Sequence, residues 1–337
     1  MTANHLNRAI QLNPKLLTPE VDQEPIRAGF GRGLVEAGRR DKRVVALCAD
    51  LTDSTKMNLF AKEFPERFVE IGIGEQNLVT VAAGMALAGK VPFVSSYAAF
   101  SPGRNWEQIR TTICLNQTNV KIVGSHAGVS VGPDGATHQM LEDIALMRVL
   151  PGMRVVVPCD SIEAEKATLA LASHTGPSYL RLAREKTPVV TTSETPFTLG
   201  KAQIFRSGRD LTMVACGPML YQCLMAAEKL SQAGVEAEVI NCPVVKPLDN
   251  LTILASAKRT GAVLTAEEAQ IKGGLGGAVA ELLGENYPVP MTRVGLMDRF
   301  GESGTPAELM EHFGLTATHL VKRVKELLKR KATIGND

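Results

Sequence analysis

The stretch Val44-Val45-Ala46-Leu47-Cys48-Ala49 is short, almost wholly apolar and followed by an aspartate. Runs of this kind are typical of parallel strands that are buried on both faces of a sheet. Further strands are predicted at residues 68–71, 91–95, 120–124, 154–157 and 178–182. Helices are predicted around them at residues 26–37, 56–64, 75–87, 106–115, 141–148 and 161–173. This alternation predicts an α/β domain with a doubly wound, mostly parallel sheet.

A second, smaller α/β domain is predicted in the remainder of the chain. Its strands are predicted at residues 211–215, 235–241, 262–266 and 291–295. Its helices are predicted at residues 219–232, 251–256, 274–283, 306–312 and 316–331. We therefore divide the chain into a polar N-terminal arm (1–24), a first domain (25–187), a linker (188–200) and a second domain (201–331).

The charge balance argues against a nucleic-acid or membrane partner. The 337 residues carry a net charge of +2, with 45% hydrophobic and 21% charged residues, as in an ordinary soluble globular protein. The basic stretch at residues 322–331 is interpreted as the solvated face of a terminal helix. No apolar run approaches the ~20 residues that span a bilayer. We expect neither nucleic acid nor a membrane as a partner.

Cysteine usage points to a reduced compartment. The six cysteines are scattered along the chain without a Cys-x-x-Cys motif, and this spacing argues against a structural zinc site. No signal peptide is visible at the N-terminus. These features predict a cytoplasmic protein with free thiols.

The candidate functional residues follow predicted strands. Ligands of doubly wound sheets bind at the carboxyl ends of the strands. Residues of suitable chemistry occur there at Asp50, Glu75, Tyr97, Phe100 and Arg184. Taken alone, Glu75 at a helix start would be a capping carboxylate, and the two aromatic side chains would be core residues.

A glycine-rich loop holds three more candidates. Gly124-Ser-His-Ala-Gly128 is followed by Asp134-Gly-Ala-Thr-His-Gln139, so that His126, Asp134 and His138 share one loop. Loop histidines are commonly surface residues, but imidazole is also suited to proton transfer near neutral pH. A metal site built from this trio is an alternative without support from any other ligand-rich segment, and no metal ligand is predicted in this chain.

Another glycine-rich stretch, Lys272-Gly-Gly-Leu-Gly-Gly277, has neither a Walker lysine-serine pair nor the Gly-x-Gly-x-x-Gly order. It is interpreted as a turn into a helix.

Several of these motifs together resemble transketolase. Ile73-Gly-Glu-Gln-Asn77 and the two loop segments at 124–128 and 134–139 resemble its pyrimidine-binding domain, and residues 297–304 and the Gly-Gly-Leu-Gly turn resemble its C-terminal domain. The resemblance covers residues 25–330. The Gly-Asp-Gly motif that binds diphosphate and metal in this family is absent from the sequence. The chain therefore resembles the C-terminal subunit of a split transketolase.

The resemblance implies thiamine diphosphate as cofactor, with Glu75 hydrogen-bonded to a ring nitrogen of its aminopyrimidine as the activating catalytic residue. It implies that Phe100 stacks on that ring, that Tyr97 lies beside it, and that Asp50 lies near the cofactor at a subunit interface. The Mg²⁺ and diphosphate ligands are expected on an N-terminal partner subunit, in an α₂β₂ assembly.

For the substrate, the resemblance implies that His126 and Arg184 bind the phosphate of a sugar phosphate. Asp134 contacts a hydroxyl, and His138 lies near the reacting carbonyl as a second catalytic residue. The roles of Arg104 and Arg181 are left open. So is the role of Glu268-Ala269-Gln270, which stands where the family often has an Asp-His-Tyr-like triplet.

The implied reaction transfers a two-carbon ketol unit from a ketose phosphate to an aldose phosphate. Either a pentose-phosphate route or a specialised sugar-catabolic route would suit these motifs. The alternatives are a subunit of a related thiamine enzyme (deoxyxylulose-phosphate synthase-like or 2-oxo-acid dehydrogenase-like) and a non-catalytic binding protein built on the same scaffold.

Overall fold

The computed structural model describes residues 5–334, which form two large sheets flanked by helices and a two-stranded antiparallel sheet of Gln23–Pro25 and Lys186–Pro188. The strands are β1 (Gln23–Pro25), β2 (Val44–Cys48), β3 (Phe68–Glu70), β4 (Val91–Tyr97), β5 (Lys121–Ser125), β6 (Arg154–Val156), β7 (Ser178–Arg181), β8 (Lys186–Pro188), β9 (Gln203–Arg206), β10 (Leu211–Ala215), β11 (Ala237–Asn241), β12 (Val244–Lys246), β13 (Val263–Gln270) and β14 (Met291–Leu296).

The helices alternate with these strands, as the sequence predicts. They are α1 (Ile26–Arg40), α2 (Asn58–Glu63), α3 (Glu75–Leu87), α4 (Trp106–Gln108), α5 (Asp143–Arg148), α6 (Ser161–Ser173), α7 (Met219–Ser231), α8 (Asn250–Thr260), α9 (Leu275–Asn286), α10 (Pro306–His312) and α11 (Ala317–Ile334). The predicted helix at 106–115 is a short α-helix that continues as a π-helix over Ile109–Cys114.

The first sheet has seven strands in the order β12-β6-β7-β5-β4-β2-β3. All of its neighbouring strands are parallel except β12, which pairs antiparallel with β6. Every residue of β2 and of β5 is buried, because helices cover both faces of a parallel sheet. The predicted fold class is confirmed for this sheet.

The second sheet has five strands in the order β14-β13-β10-β11-β9, and only β9 runs antiparallel to its neighbour. It is smaller and mostly parallel, again as predicted. The carboxyl ends of β2, β4, β5 and β7 lie along one edge of the first sheet, since these strands are parallel neighbours. This edge carries the candidate site.

Four strands were not predicted: β1, β8, β9 and β12. Each has only three or four residues, too few to show an alternating or continuous apolar pattern. β12 also crosses from the second half of the chain into the first sheet, a pairing that no local pattern encodes.

The segment predicted as an N-terminal arm packs against the second sheet. The Leu16 side chain is 1% exposed in a core cluster with Phe205 and Leu211, and the Asn7 amide donates to the Phe205 carbonyl at 2.9 Å. The predicted linker is also packed, because the amides of Val190 and Thr191 donate to Asp160 Oδ2. The two domains are therefore in extensive contact.

Within residues 5–334, no helix is both long enough and apolar enough to cross a membrane.

Candidate functional site

Glu75 is the first residue of α3, and its side chain is 2% exposed. Arg104 Nη1 donates to Glu75 Oε2 at 2.6 Å, and Ser96 Oγ lies 3.5 Å from Oε1. The N-cap residue of α3 is Gly74, and no side-chain hydrogen bond caps the helix there. Glu75 therefore points into the site as a buried carboxylate instead of capping its own helix. Its position at the helix N-terminus favours the negative charge.

A cluster of flat rings lies at the ends of β4 and β5. The Tyr97 ring stacks on the His126 ring with centroids 3.8 Å apart, and the Phe100 ring lies edge-on to His138 at 5.5 Å. The Arg104 guanidinium lies 5.0 Å from the Phe100 centroid. Tyr97 and Phe100 are only half-buried and lie outside the hydrophobic core clusters. The two rings therefore pack against the other candidate side chains at this edge, not against the core.

His126 is buried and adopts a left-handed backbone conformation, with φ of 58°. Its Nδ1 lies 2.8 Å from Ser125 Oγ. Burial, together with the positive charges of Arg27 and Arg184 and the neighbouring His138, lowers the pKa of His126 to about 3. The imidazole is therefore neutral at physiological pH and leaves Nε2 for a ligand.

Two guanidinium groups flank His126. Arg184 follows β7, and its Nη1 donates to the Val131 carbonyl at 2.7 Å and lies 3.4 Å from Asp134 Oδ1. Arg27 Nε donates to the Arg184 carbonyl at 3.1 Å. Burial and the nearby Arg184 charge lower the pKa of Arg27. Two partly buried cations beside a neutral imidazole form a cluster suited to an anion.

The sequence analysis missed Arg27. It lies in the first turn of α1, where the helix dipole disfavours a cation. The basic residue at the start of a predicted helix was the signal in the sequence that could have identified Arg27 as a site residue. An unfavourable charge placement often has a functional reason.

The remaining loop residues lie closer to solvent. Thr137 Oγ1 lies 2.8 Å from His138 Nδ1, and the half-buried imidazole faces Phe100. Asp134 is more exposed than His138. The loop brings Asp134, His138 and His126 close to Arg184 and to the rings of Tyr97 and Phe100.

Asp50 is the candidate that the structure does not join to this cluster. It has φ of 56°, and its backbone amide donates to Glu70 Oε1 at 2.7 Å. Within the described chain, its exposed carboxylate makes no hydrogen bond or ion pair. It lies at the end of β2, next to β4 at the same sheet edge.

The two arginines left open by the sequence have different surroundings. Arg104 is half-exposed and bound to Glu75, so it belongs to the site. Arg181 is 2% exposed, and its Nε donates to Asp143 Oδ2 at 2.8 Å. Its side chain is therefore committed to a buried ion pair.

The side chains at this edge fit an aminopyrimidine. Glu75 offers a buried carboxylate, and the Phe100 ring offers a half-buried flat surface, which are the partners that a hydrogen-bonding heterocycle needs. Arg104 would have to share Glu75 with such a ring or move away from it. Among residues 5–334, no group of three His, Cys, Asp or Glu residues is placed to hold a metal ion. His126, Asp134 and His138 are therefore not such a group.

The Gly-Gly-Leu-Gly turn leads into α9, as predicted. Glu267 Oε2 and Oε1 accept hydrogen bonds from the amides of Leu275 and Gly276, each at 2.8 Å. A protein carboxylate thus occupies the helix N-terminus at which a phosphate would bind.

Comparisons with known proteins identify both domains. Residues 23–189 match the family described as "Transketolase, pyrimidine binding domain", and residues 200–320 match "Transketolase, C-terminal domain". The chain is 44% identical to the 6-deoxy-6-sulfo-D-fructose transketolase subunit SqwH of Clostridium sp. (strain MSTE9), covering 88% of this chain and 92% of that protein. It is 39% identical to an apulose-4-phosphate transketolase subunit of Phocaeicola vulgatus, covering 90% and 97% of the two chains.

A solved structure described as "Split gene transketolase, inactive beta4 tetramer" superposes with a TM-score of 0.86. It shares 46% identity and covers 91% of this chain and 99% of its own. The transketolase of Campylobacter jejuni superposes with a TM-score of 0.77 at 22% identity, covering 93% of this chain but 50% of its own. That likeness supports the fold alone.

Proposed function

Because this chain belongs to the transketolase family, we propose that it is the C-terminal (beta) subunit of a two-chain thiamine-diphosphate-dependent transketolase. It would transfer a two-carbon ketol unit from a ketose phosphate to an aldose phosphate. It would be active only with an N-terminal partner subunit that supplies the diphosphate and Mg²⁺ ligands, as an α₂β₂ assembly in the cytoplasm.

The observation that carries this proposal is the placement of Glu75. Its buried carboxylate is bound by Arg104, whose guanidinium lies 5.0 Å from the Phe100 centroid. The neighbouring Tyr97 ring stacks on His126, and the charges of Arg27 and Arg184 act on that imidazole. A non-catalytic scaffold would have no need for a carboxylate, flat rings and an anion site at one opening. The bound cofactor would supply the carbanion chemistry, and this chain would supply position and charge.

Each side chain at the opening has a distinct task in this proposal. Among the described residues, Glu75 Oε1 has Ser96 Oγ as its one hydrogen-bond partner, at 3.5 Å, so this oxygen would be the one to hydrogen-bond a pyrimidine nitrogen. Tyr97 and Phe100 would hold the ring in place. Asp50 is assigned to the cofactor side of the opening, next to the partner subunit.

On the substrate side, Arg184, Arg27 and neutral His126 bind the anionic end of the sugar. Asp134 contacts a hydroxyl, and His138 moves a proton near the reacting carbonyl. The Clostridium and Phocaeicola relatives are named for a sulfo-sugar and a sugar phosphate, respectively. We assign a phosphorylated sugar to this chain.

The partner requirement is supported by the lengths of the relatives. This chain spans 92% and 97% of two transketolase subunits, but only 49% of the mouse transketolase-like protein 2. The sequence also has no Gly-Asp-Gly motif. Both observations favour a second chain with the other half of the site.

The first test is native purification of the chain from its source cell, with bound proteins identified by mass. We expect a roughly stoichiometric partner that carries Gly-Asp-Gly and a downstream asparagine. The purified complex, with thiamine diphosphate and Mg²⁺, should transfer ketol units between sugar phosphates, whereas the chain alone should not. Recovery of the chain only with itself would contradict the partner assignment.

The second test is Glu75→Ala in that complex. We expect turnover to fall by at least about 100-fold, because a positioned proton-transferring group contributes on this scale. The matched control is Glu66→Ala, whose carboxylate is 70% exposed and outside the site. Circular dichroism should show the same fold for both variants. A Glu75→Ala complex with near wild-type turnover would refute the role of Glu75.

A further inference from the structure

The loop that carries Asp134 and His138 has little regular backbone pairing of its own. Residues 126–139, here called the substrate loop, contain short 3-10 turns over Val129–Asp134 and four residues with positive φ: His126, Gly128, Gly132 and Gly135. Loops of this kind move unless other parts of the structure hold them.

The second domain holds this loop with a buried carboxylate. Ser130 donates its backbone amide to Glu268 Oε1 at 2.7 Å, and Glu268 is 1% exposed at the end of β13. Gly128 lies so close that a Cβ there would be 2.2 Å from the same oxygen. Gln139 makes a second connection, since its Nε2 donates to the Glu302 carbonyl at 2.8 Å.

Arg181 of the first domain contacts the backbone of Glu268 and is itself paired with Asp143. Arg181 Nη2 donates to the Glu268 carbonyl at 2.8 Å, and its Nε donates to Asp143 Oδ2, which also accepts from the Tyr179 hydroxyl at 2.7 Å. Among the described residues, Glu268 Oε2 has no hydrogen-bond partner. Burying a carboxylate under these conditions costs stability, so an apolar residue would suit a purely structural position better.

We propose that Glu268 is a positioning residue of the second domain, which fixes the substrate loop through the Ser130 amide and so sets the positions of Asp134 and His138. This inference rests on the proposed function only for the statement that the loop binds substrate. The carboxylate itself touches neither substrate nor cofactor. Through this contact, the second domain positions substrate-binding residues of the first domain.

The test compares Glu268→Ala with Glu268→Gln, because the glutamine carbonyl can still accept the Ser130 amide. The matched control is Glu267→Gln, since Glu267 is the neighbouring buried carboxylate but binds the start of α9 instead of the loop. Amide hydrogen exchange is measured by mass spectrometry on the isolated chain. The KM for the donor sugar and kcat are then measured on the reconstituted complex.

In Glu268→Ala, we expect exchange in residues 126–139 to rise about tenfold or more, since a hydrogen bond to a charged group is lost. Exchange in β10 and β11 should not change. In the complex, kcat/KM should fall about 10- to 100-fold, mainly through KM, because the loop positions the substrate. Glu268→Gln should stay within about threefold of wild type in both measurements. Glu267→Gln should lower the thermal midpoint without loosening the loop.

Unchanged exchange in residues 126–139 of Glu268→Ala would refute the proposal, and so would equal loosening by Glu267→Gln. If Glu268→Ala does not fold, Glu268→Met provides the same test, because its apolar side chain fills a similar volume but cannot accept the Ser130 amide. Exchange on the isolated chain does not depend on turnover. A complex without ketol transfer would therefore refute the proposed function and leave this measurement intact.

Discussion

At the scale of single residues, the surroundings of His126 keep its imidazole ring neutral. The imidazole lies against the Tyr97 ring, and the nearby Arg27 and Arg184 add positive charge. Burial and these charges favour the neutral ring over the imidazolium. The N–H of neutral His126 is therefore suited to donate a hydrogen bond to an anion, and His138, nearer to solvent, is better placed to move protons.

The low pKa of His126 in the folded chain predicts that the chain loses stability in acid. Above pH 6.5 the His126 ring is neutral in both states and has no effect, since its folded pKa is about 3 and its unfolded pKa about 6.5. As the pH falls below 6.5, only the unfolded chain takes up the proton, so stability falls. Between pH 7 and pH 5 this loss is about 2 kcal/mol.

Urea denaturation of the isolated chain at pH 7 and pH 5 measures this effect. His126→Gln should remove about 2 kcal/mol from the wild-type difference between the two pH values. Leu251→Ala, at an exposed residue that does not titrate, should leave that difference unchanged. Equal pH dependence in wild type and His126→Gln would show that His126 does not carry the effect.

At the scale of elements, the close approach of helices positions the site. α1 carries Arg27, and it packs against α6 with Gly29 directly on the backbone of Ser161. A Cβ on Gly29 would lie 1.7 Å from the Ser161 carbonyl oxygen. The glycine therefore permits backbone contact between the two helices, which sets the place of Arg27 beside Arg184.

We predict that Gly29→Ala destabilises the chain by about 3 kcal/mol, because a new methyl group in a filled contact forces the helices apart. Gly84→Ala in α3 is the matched control, since a Cβ at that position would have no atom within 4 Å. There alanine should raise stability by up to about 1 kcal/mol through its higher helix propensity. Chemical denaturation of the isolated chain measures both changes, and equal effects would be incompatible with the close helix contact.

At the scale of the whole molecule, the two domains are interlocked. β12 from the second half of the chain completes the first sheet, and the N-terminal segment lies on the second sheet. The substrate loop lies between the domains and contacts both, through Arg184 on one side and Glu268 on the other. The site therefore depends on how the domains pack together.

The N-terminal segment should contribute strongly to stability. We expect Leu16→Ala to cost about 2–5 kcal/mol, because it leaves a cavity in the core of the second domain. Leu251→Ala, at a side chain that is 77% exposed, should change stability by less than about 0.5 kcal/mol. Both are measured by denaturant unfolding. A cost below about 1 kcal/mol for Leu16→Ala would mean that the segment is only loosely attached.

The sequence by itself determined the order of the longer strands and the helices, and it named most of the candidate site residues. Buried parallel strands must be apolar, and this pattern is local, so β2, β4, β5 and β7 were predicted close to their observed bounds. Glu75, Tyr97, Phe100, His126, Asp134, His138 and Arg184 were also named from short motifs, and the structure brings them to one edge.

Only the tertiary structure decided which distant residues meet. The pairing of Arg104 with Glu75, the place of Arg27 beside Arg184, the contact of Glu268 with Ser130 and the crossing of β12 all join positions far apart in the chain. No local periodicity encodes such contacts, because they depend on helix approach and sheet order. The motifs therefore give the chemistry, and the packing of the domains gives the geometry in which it can act.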